Sequence, residues 1–75
     1  MAKQTLTAVL KKEENMYVAE NPETGVVSQG KSIDEAVANL KEAVELYLTE
    51  FPIKGESKTI FTIFEVQVPA HVAAA

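Results

Sequence analysis

Few side chains of this sequence are able to do chemistry, and those few are widely spaced. Among 75 residues there is no cysteine and one histidine, His71, which lies near the carboxyl end. Zinc sites need several thiolates or imidazoles together, and a serine or cysteine nucleophile needs a base such as histidine beside it. The sequence also contains no glycine-rich phosphate loop. We therefore predict no catalytic residue, no bound metal and no cofactor.

Alternation of apolar and polar residues predicts three short strands in the first half of the chain. The predicted strands are Gln4–Lys11, Met16–Glu20 and Val26–Gln29. In the first strand, Leu6, Ala8 and Leu10 share one face. Residues 21–25 separate the last two strands, because the proline and glycine of this stretch favour a reversal of the chain.

One helix is predicted after the third strand. Ser32 occupies an N-cap position and Glu35 stands three residues later, which is the spacing of a capping box. Apolar residues then recur every three or four positions, as in the stripe of an amphipathic helix. The stripe consists of Ile33, Val37, Leu40, Val44, Tyr47, Leu48 and Phe51. Pro52 prevents continuation, so the helix is expected to end near Glu50.

A fourth strand is predicted over Thr59–Val68, where β-branched and aromatic residues alternate up to Pro69. One face of this strand is expected to join the core beneath the helix. That face carries Ile60, Phe64, Val66 and Val68. Because one helix covers only one face of a sheet, apolar residues on the other face are expected to form a self-association patch. The residues of this patch are Phe61, Ile63, Val9 and Val27.

These elements predict a single α+β domain over residues 1–75. Its antiparallel sheet has three to four strands, one helix packs on one face, and the order is β-β-β-α-β. Residues 70–75 are expected to form a frayed tail. A chain of this size buries only about 60% of the surface that its unfolded form exposes. Since no disulfide or thiolate metal site supplements the core, we expect a homo-oligomer, either a dimer or a tetramer.

The charge of the chain argues against direct nucleic-acid binding. Seven lysines, no arginine and eleven acidic residues give a net charge of −4, whereas a phosphate backbone requires clustered cations. Acids concentrate on the predicted helix, where Glu42, Glu45 and Glu50 are expected to bind a basic partner. No apolar run reaches the length of a membrane span and no secretory signal is evident, so we expect no membrane association and a cytoplasmic location.

The segment from residue 17 to residue 36 carries a family resemblance; it reads YVAENPETGVVSQGKSIDEA. Its Tyr-Val-Ala strand, Pro- and Gly-containing turn, short strand ending in glycine and capped helix resemble the signature of the HicB-like antitoxin family. Residues 39–48 are similar to the helix of that family as well. The resemblance implies a truncated ribonuclease-H-like fold and the neutralisation of a small, basic HicA-type ribonuclease toxin.

A DNA-binding domain is not expected. Many HicB-like proteins carry a further carboxy-terminal domain that binds operator DNA, but this sequence ends soon after the predicted fourth strand. Any contact with DNA would therefore have to come from another protein.

Two alternatives to an antitoxin remain open. The first is an orphan homo-oligomeric structural or regulatory domain without a toxin partner. The second is an unusual nuclease, because ribonuclease-H-like folds are associated with carboxylates that hold two metal ions. Glu20 and Glu35 are the acids nearest to suitable ends of elements, although Glu35 already has a role in capping the helix.

Overall fold

The computed structural model describes residues 3–53 and 59–72 of the chain. It contains a three-stranded antiparallel sheet, one long helix and one short 3-10 helix. The elements are β1 (Val9–Glu13), β2 (Met16–Asn21), β3 (Val26–Gly30), α1 (Ile33–Glu50) and the 3-10 helix Ala70–Val72. The strands lie in the order β1-β2-β3, so β1 and β3 are the two edges of the sheet. The predicted α+β class, with one helix on an antiparallel sheet, is confirmed.

Two tight turns set the register of the sheet. Glu13 pairs with Met16, so the first turn consists of Glu14 and Asn15, and Glu14 adopts a positive φ of 53°. In the second turn Gly25 has a φ of 80°, and its N–H donates to the Asn21 carbonyl at 2.7 Å. Glycine adopts this left-handed conformation without the steric cost that a side chain adds.

The first strand is shorter at its start than the alternation predicts. Regular pairing begins at Val9 rather than Gln4, because residues 3–8 have no strand partner in β2. The predicted face is nevertheless correct. Leu6, Ala8 and Leu10 are all partly buried and pack against the core.

Local hydrogen bonds fix both ends of α1 as the sequence predicts. The Ser32 hydroxyl accepts from the Glu35 N–H at 3.0 Å, and the Glu35 carboxylate accepts from the Lys31 N–H at 2.9 Å. These two bonds complete a capping box, which satisfies backbone donors that the first turn leaves free. At the other end the Phe51 N–H donates to the Tyr47 carbonyl at 2.9 Å. The last helical residue, Glu50, therefore lies two positions before Pro52.

The core between α1 and the sheet is small. Four apolar residues are fully buried in the described part of the chain: Ala19, Ala36, Leu40 and Val44. Two of these are alanines, which let the helix approach the sheet closely. Gly30 allows the same close approach at the end of β3, since a Cβ there would lie 2.5 Å from the Ala36 nitrogen.

The predicted fourth strand is unpaired in the single chain. Residues 59–69 have no regular secondary structure, and the expectation that one face of this segment joins the core is not met. Ile60 is 88% exposed and Phe64 is 84% exposed. The physical reason is that a strand forms only where a sheet edge accepts its hydrogen bonds, and here the segment lies on neither edge.

Two remaining expectations concern the tail and the membrane. Residues 70–72 of the predicted frayed tail form a helical turn, and the rest of that tail lies outside the described residues. Within residues 3–53 and 59–72, no helix combines the length and the apolar character that crossing a bilayer requires.

Candidate protein-binding surfaces

The outer side of α1 brings the three predicted acids together around an apolar residue. Glu42, Glu45 and Glu50 are all exposed and lie outside the buried stripe that contains Leu40 and Val44. Leu46 lies four residues from both Glu42 and Glu50, so it stands between them on one line along the helix. We call Glu42, Glu45, Leu46 and Glu50 the outer helix face.

Leu46 is the member of this face that sequence reasoning missed. Its side chain is 72% exposed, although leucine is among the residues most often found inside proteins. The available signal was its position, because Leu46 does not belong to the apolar stripe that faces the sheet. An apolar centre with a charged rim is the usual arrangement of a protein interface.

The sheet leaves its second face open. Val9 pairs with Glu20, and Glu20 pairs with Val27, so these three side chains form one row across the face that α1 does not cover. Val9 is 41% exposed and Val27 is 55% exposed. These two members of the predicted self-association patch therefore share a face, on either side of a carboxylate.

The other two predicted members of that patch lie elsewhere in the single chain. Phe61 is 57% exposed and Ile63 is 97% exposed, and both belong to the unpaired segment that follows the helix. The structure of one chain does not join them to Val9 and Val27 in the sheet.

An apolar groove runs along the β1 side of the helix. It lies between α1 and residues 3–8 and has a volume of about 620 Å³. Its apolar lining includes Leu6, Ala8, Leu40, Val44 and Leu48. The groove exists because α1 packs over β2 and β3, which leaves the helix surface above β1 without a layer of its own.

A polar cluster fastens the N-terminal segment to the turn between β2 and β3. The buried amide of Asn21 donates at 2.7 Å to the Thr7 carbonyl and at 2.7 Å to the Glu23 carboxylate. Its carbonyl oxygen accepts from the N–H of Thr24 at 3.0 Å and from the Thr24 hydroxyl. Because every polar atom of the Asn21 side chain has a partner, its burial costs little.

Glu23 is the ionisable member of this cluster. Partial desolvation raises its pKa, but hydrogen bonds outweigh that effect and lower the pKa from 4.5 to about 2. The donors are the Thr59 hydroxyl and the hydroxyl and N–H of Thr7, with Thr7 at 2.7 Å and 2.9 Å. These bonds favour the charged carboxylate. They make Glu23 a structural fastener between the turn, the N-terminal segment and the start of the final segment.

The two acids considered for nuclease chemistry are far apart in the fold. Glu20 is exposed on the open face of the sheet, whereas Glu35 caps the helix that packs on the opposite face. Among the residues that the structure describes, no group of three or more histidine or acidic side chains is placed to hold a metal ion. His71 is exposed in the 3-10 helix near the end of the chain.

Comparisons with known proteins give family names without an activity. Residues 2–68 match a family described as a family of unknown function, DUF7387. The chain is 34% identical over 62 residues to the UPF0150 protein ssr1258 of Synechocystis sp., a match that covers 80% of this chain and 90% of that protein. It is 57% identical over 44 residues to a UPF0150 protein of Helicobacter pylori. This second match covers 57% of the chain and 61% of the Helicobacter protein. No solved structure matches the chain significantly.

Proposed function

Because the chain belongs to the DUF7387 family of unknown function and to the UPF0150 proteins, whose names state no activity, we propose its function from its own surfaces. The chain acts by binding another protein, and its partner is a small basic ribonuclease toxin of the HicA type. It is an antitoxin that works as a homo-oligomer. Since such a toxin attacks cellular RNA, the proposal places the chain in the cytoplasm.

The observation that carries this proposal is the outer helix face. Three exposed carboxylates surround Leu46, which is 72% exposed. A protein that grips RNA needs clustered cations, so its surface is complementary in charge to this face. Opposite potentials accelerate encounter and aid the selection of a partner. An exposed leucine at the centre supplies the apolar contact that a charged rim alone does not give.

The HicB-like resemblance supplies the class of the partner. Residues 17–36 occupy β2, the turn, β3 and the capped start of α1, which is the arrangement expected for that family. A shared fold supports a shared partner only by analogy. The charge of the outer helix face is the independent support.

The second candidate function is an orphan homo-oligomer without a toxin. The observation that favours it is the exposed apolar segment after the helix, where Ile60, Ile63 and Phe64 are each more than four-fifths exposed. A second copy of the chain could bury those side chains, and no toxin is required for that. A nuclease is the third candidate, and it requires metal-dependent RNA cleavage that is lost when Glu20 or Glu35 is replaced.

A pull-down with charge-reversed variants tests the proposed function. The tagged chain is expressed in its own cells, and proteins that co-purify are quantified by mass spectrometry. We expect a small basic protein in near-equal amount with the wild type, and about tenfold less with Glu42→Lys/Glu45→Lys. The matched control is Glu13→Lys/Glu14→Lys, which changes the net charge equally at the exposed end of β1 and in the turn after it and is expected to retain the partner.

The recovered partner is then assayed for RNA cleavage with and without the purified chain. We expect the partner alone to cleave RNA, and we expect the purified chain to inhibit this cleavage in the complex. Unchanged recovery of the basic partner with Glu42→Lys/Glu45→Lys would show that the outer helix face does not bind it. Recovery of the chain alone, as a defined oligomer, would favour the orphan domain over the antitoxin.

A further inference from the structure

The segment over residues 59–68, here called the terminal segment, carries half of the twelve large apolar side chains that are exposed in the described chain. Each of its six large apolar side chains is at least 52% exposed, and one is 97% exposed. They are Ile60, Phe61, Ile63, Phe64, Val66 and Val68. Monomeric proteins seldom expose a contiguous patch of this kind, and such patches mark contact surfaces.

The terminal segment has the pattern of a strand. Ile60, Phe64 and Val66 alternate with residues of the other face, and they would share one side of an extended chain. Ten residues in this conformation span about 33 Å. The segment therefore lacks only a sheet edge that accepts its backbone hydrogen bonds.

The β1 edge offers both the hydrogen bonds and the space that such a strand needs. β1 is an edge of the sheet, and the groove of about 620 Å³ lies between α1 and residues 3–8, which lead into β1. Leu6, Leu40 and Val44 line that groove. On the other edge, the Asn39 side chain of α1 already donates to the Gln29 carbonyl of β3 at 2.9 Å. A strand laid along β1 would place its apolar side in the groove.

The shape of the single chain indicates that this strand comes from another copy. The terminal segment pairs with neither sheet edge, and its large apolar side chains are all more than half exposed. The Cα radius of gyration is 15.6 Å and the longest extent is 52 Å, whereas a compact chain of this length has a radius of gyration of about 11 Å. The chain is thus elongated, and no residue of the terminal segment lines the groove of its own chain.

We infer that residues 59–68 of one chain add to the β1 edge of a second copy, with Ile60, Phe64 and Val66 filling its groove. Two copies related by a two-fold axis can each give and receive a segment, so the assembly closes as a dimer. Exchange enlarges a core that has only four fully buried apolar residues in the described chain. The inference gives a geometry to the self-association in the proposed function, and it requires no toxin.

Strand exchange also accounts for the predicted self-association patch. With Phe64 in the groove, Phe61 and Ile63 point to the opposite side of the sheet, because neighbouring strand residues alternate. That side carries Val9 and Val27. Phe61 and Ile63 would then share that side with Val9 on the neighbouring strand, while Val27 lies on the same side two strands beyond Val9.

Two measurements on the purified chain, without any toxin, test the inference. Light scattering after size exclusion gives the mass in solution, and hydrogen exchange gives the protection of backbone amides 60–68. We expect a mass of twice the 8.2 kDa chain together with protected amides in the terminal segment.

A monomer with protected amides would mean that the segment folds back onto its own groove. A dimer with unprotected amides would mean that another surface associates. A monomer with unprotected amides would mean that no exchange takes place. Each of these three results would overturn the inference.

A pair of variants in the terminal segment locates the contact. Phe64→Asp places a charge in the apolar groove and is expected to raise the dimer dissociation constant by about 100-fold. Gln67→Asp adds the same carboxylate on the other face, where Gln67 is exposed, and is expected to remain a dimer. Circular dichroism checks that both variants fold. Equal dissociation constants for the two variants would contradict the proposed orientation. These measurements do not use the pull-down, so strand exchange can fail while binding of the basic partner stands, and binding of that partner can fail while the dimer stands.

Discussion

Gly30 shows how a single hydrogen atom in place of a methyl group can decide the packing of this fold. A Cβ at this position would lie 2.5 Å from the Ala36 nitrogen and 2.8 Å from the Glu35 carbonyl carbon. Both are backbone atoms of the first helical turn, so they cannot move aside as the end of a flexible side chain can. We expect Gly30→Ala to lower the free energy of unfolding by about 2–3 kcal/mol, measured by urea denaturation.

Gly25→Ala is the matched control for that experiment. Gly25 has a φ of 80° and open space around its missing Cβ, so alanine there meets backbone strain without a clash. We expect a smaller loss of about 1 kcal/mol. A Gly30→Ala protein as stable as the wild type would show that α1 does not approach β3 as closely as described.

Glu23 links the polar cluster to the pH dependence of stability. Its pKa is lowered from 4.5 to about 2 in the folded chain, so the folded state favours the charged carboxylate. The charged Glu23 carboxylate stabilises the folded state fully above pH 4.5, and this stabilisation is lost as the pH falls through that value towards 2. We expect the melting temperature of the wild type to exceed that of Glu23→Gln at pH 7, with a difference that shrinks across this window.

A second variant separates the hydrogen bonds of Glu23 from its charge. Thr59→Val removes one of the hydroxyl donors to the carboxylate, so the pKa of Glu23 should rise from about 2 towards 4.5. An NMR titration of the side-chain carboxyl measures this change. If the pKa of Glu23 is the same in both proteins, Thr59 does not contact the cluster.

At the scale of elements, α1 has two sides with separate roles. Leu40 and Val44 are buried against the sheet, whereas Leu46 is 72% exposed. We expect Leu46→Ala to change the free energy of unfolding by less than about 0.5 kcal/mol, while it reduces recovery of the basic partner in the pull-down. Leu40→Ala is the contrasting variant, with an expected loss of about 2–5 kcal/mol. If Leu46→Ala destabilises the chain as much, Leu46 belongs to the core and not to an interface.

Elements that depend on local chemistry were predictable from the sequence. The capping box at Ser32 and Glu35 and the stop before Pro52 follow from neighbouring residues, and α1 begins and ends as expected. The hydrogen bonds of the Asn21 side chain were not predicted, because residues 21–25 indicated only a turn. An asparagine just before a proline-containing turn is itself a signal, because its side chain often bonds to backbone two or three residues later.

The final segment was less predictable for a physical reason. Its alternation indicates a strand, but a strand also requires an edge, and an edge supplied by another molecule leaves no local pattern. The start of β1 shows the same effect, since pairing begins at Val9 where β2 supplies a partner. The acids of the outer helix face were predicted as a group, whereas their apolar centre at Leu46 was not.

At the scale of the whole molecule, the account assigns two surfaces to two kinds of partner. The terminal segment and the β1 edge serve a second copy of the chain, and the outer helix face serves a basic protein. The groove and the outer helix face meet at Glu45, which borders both. We propose that this chain of 75 residues without cysteine gains stability from the first surface and function from the second.

The most direct test of this account is native mass spectrometry of the tagged chain purified from its own cells. One spectrum reports both the number of copies and any protein bound to them. We expect two copies of the tagged chain, or an even multiple, together with a small basic protein. A single copy of the tagged chain with nothing bound would contradict both proposals.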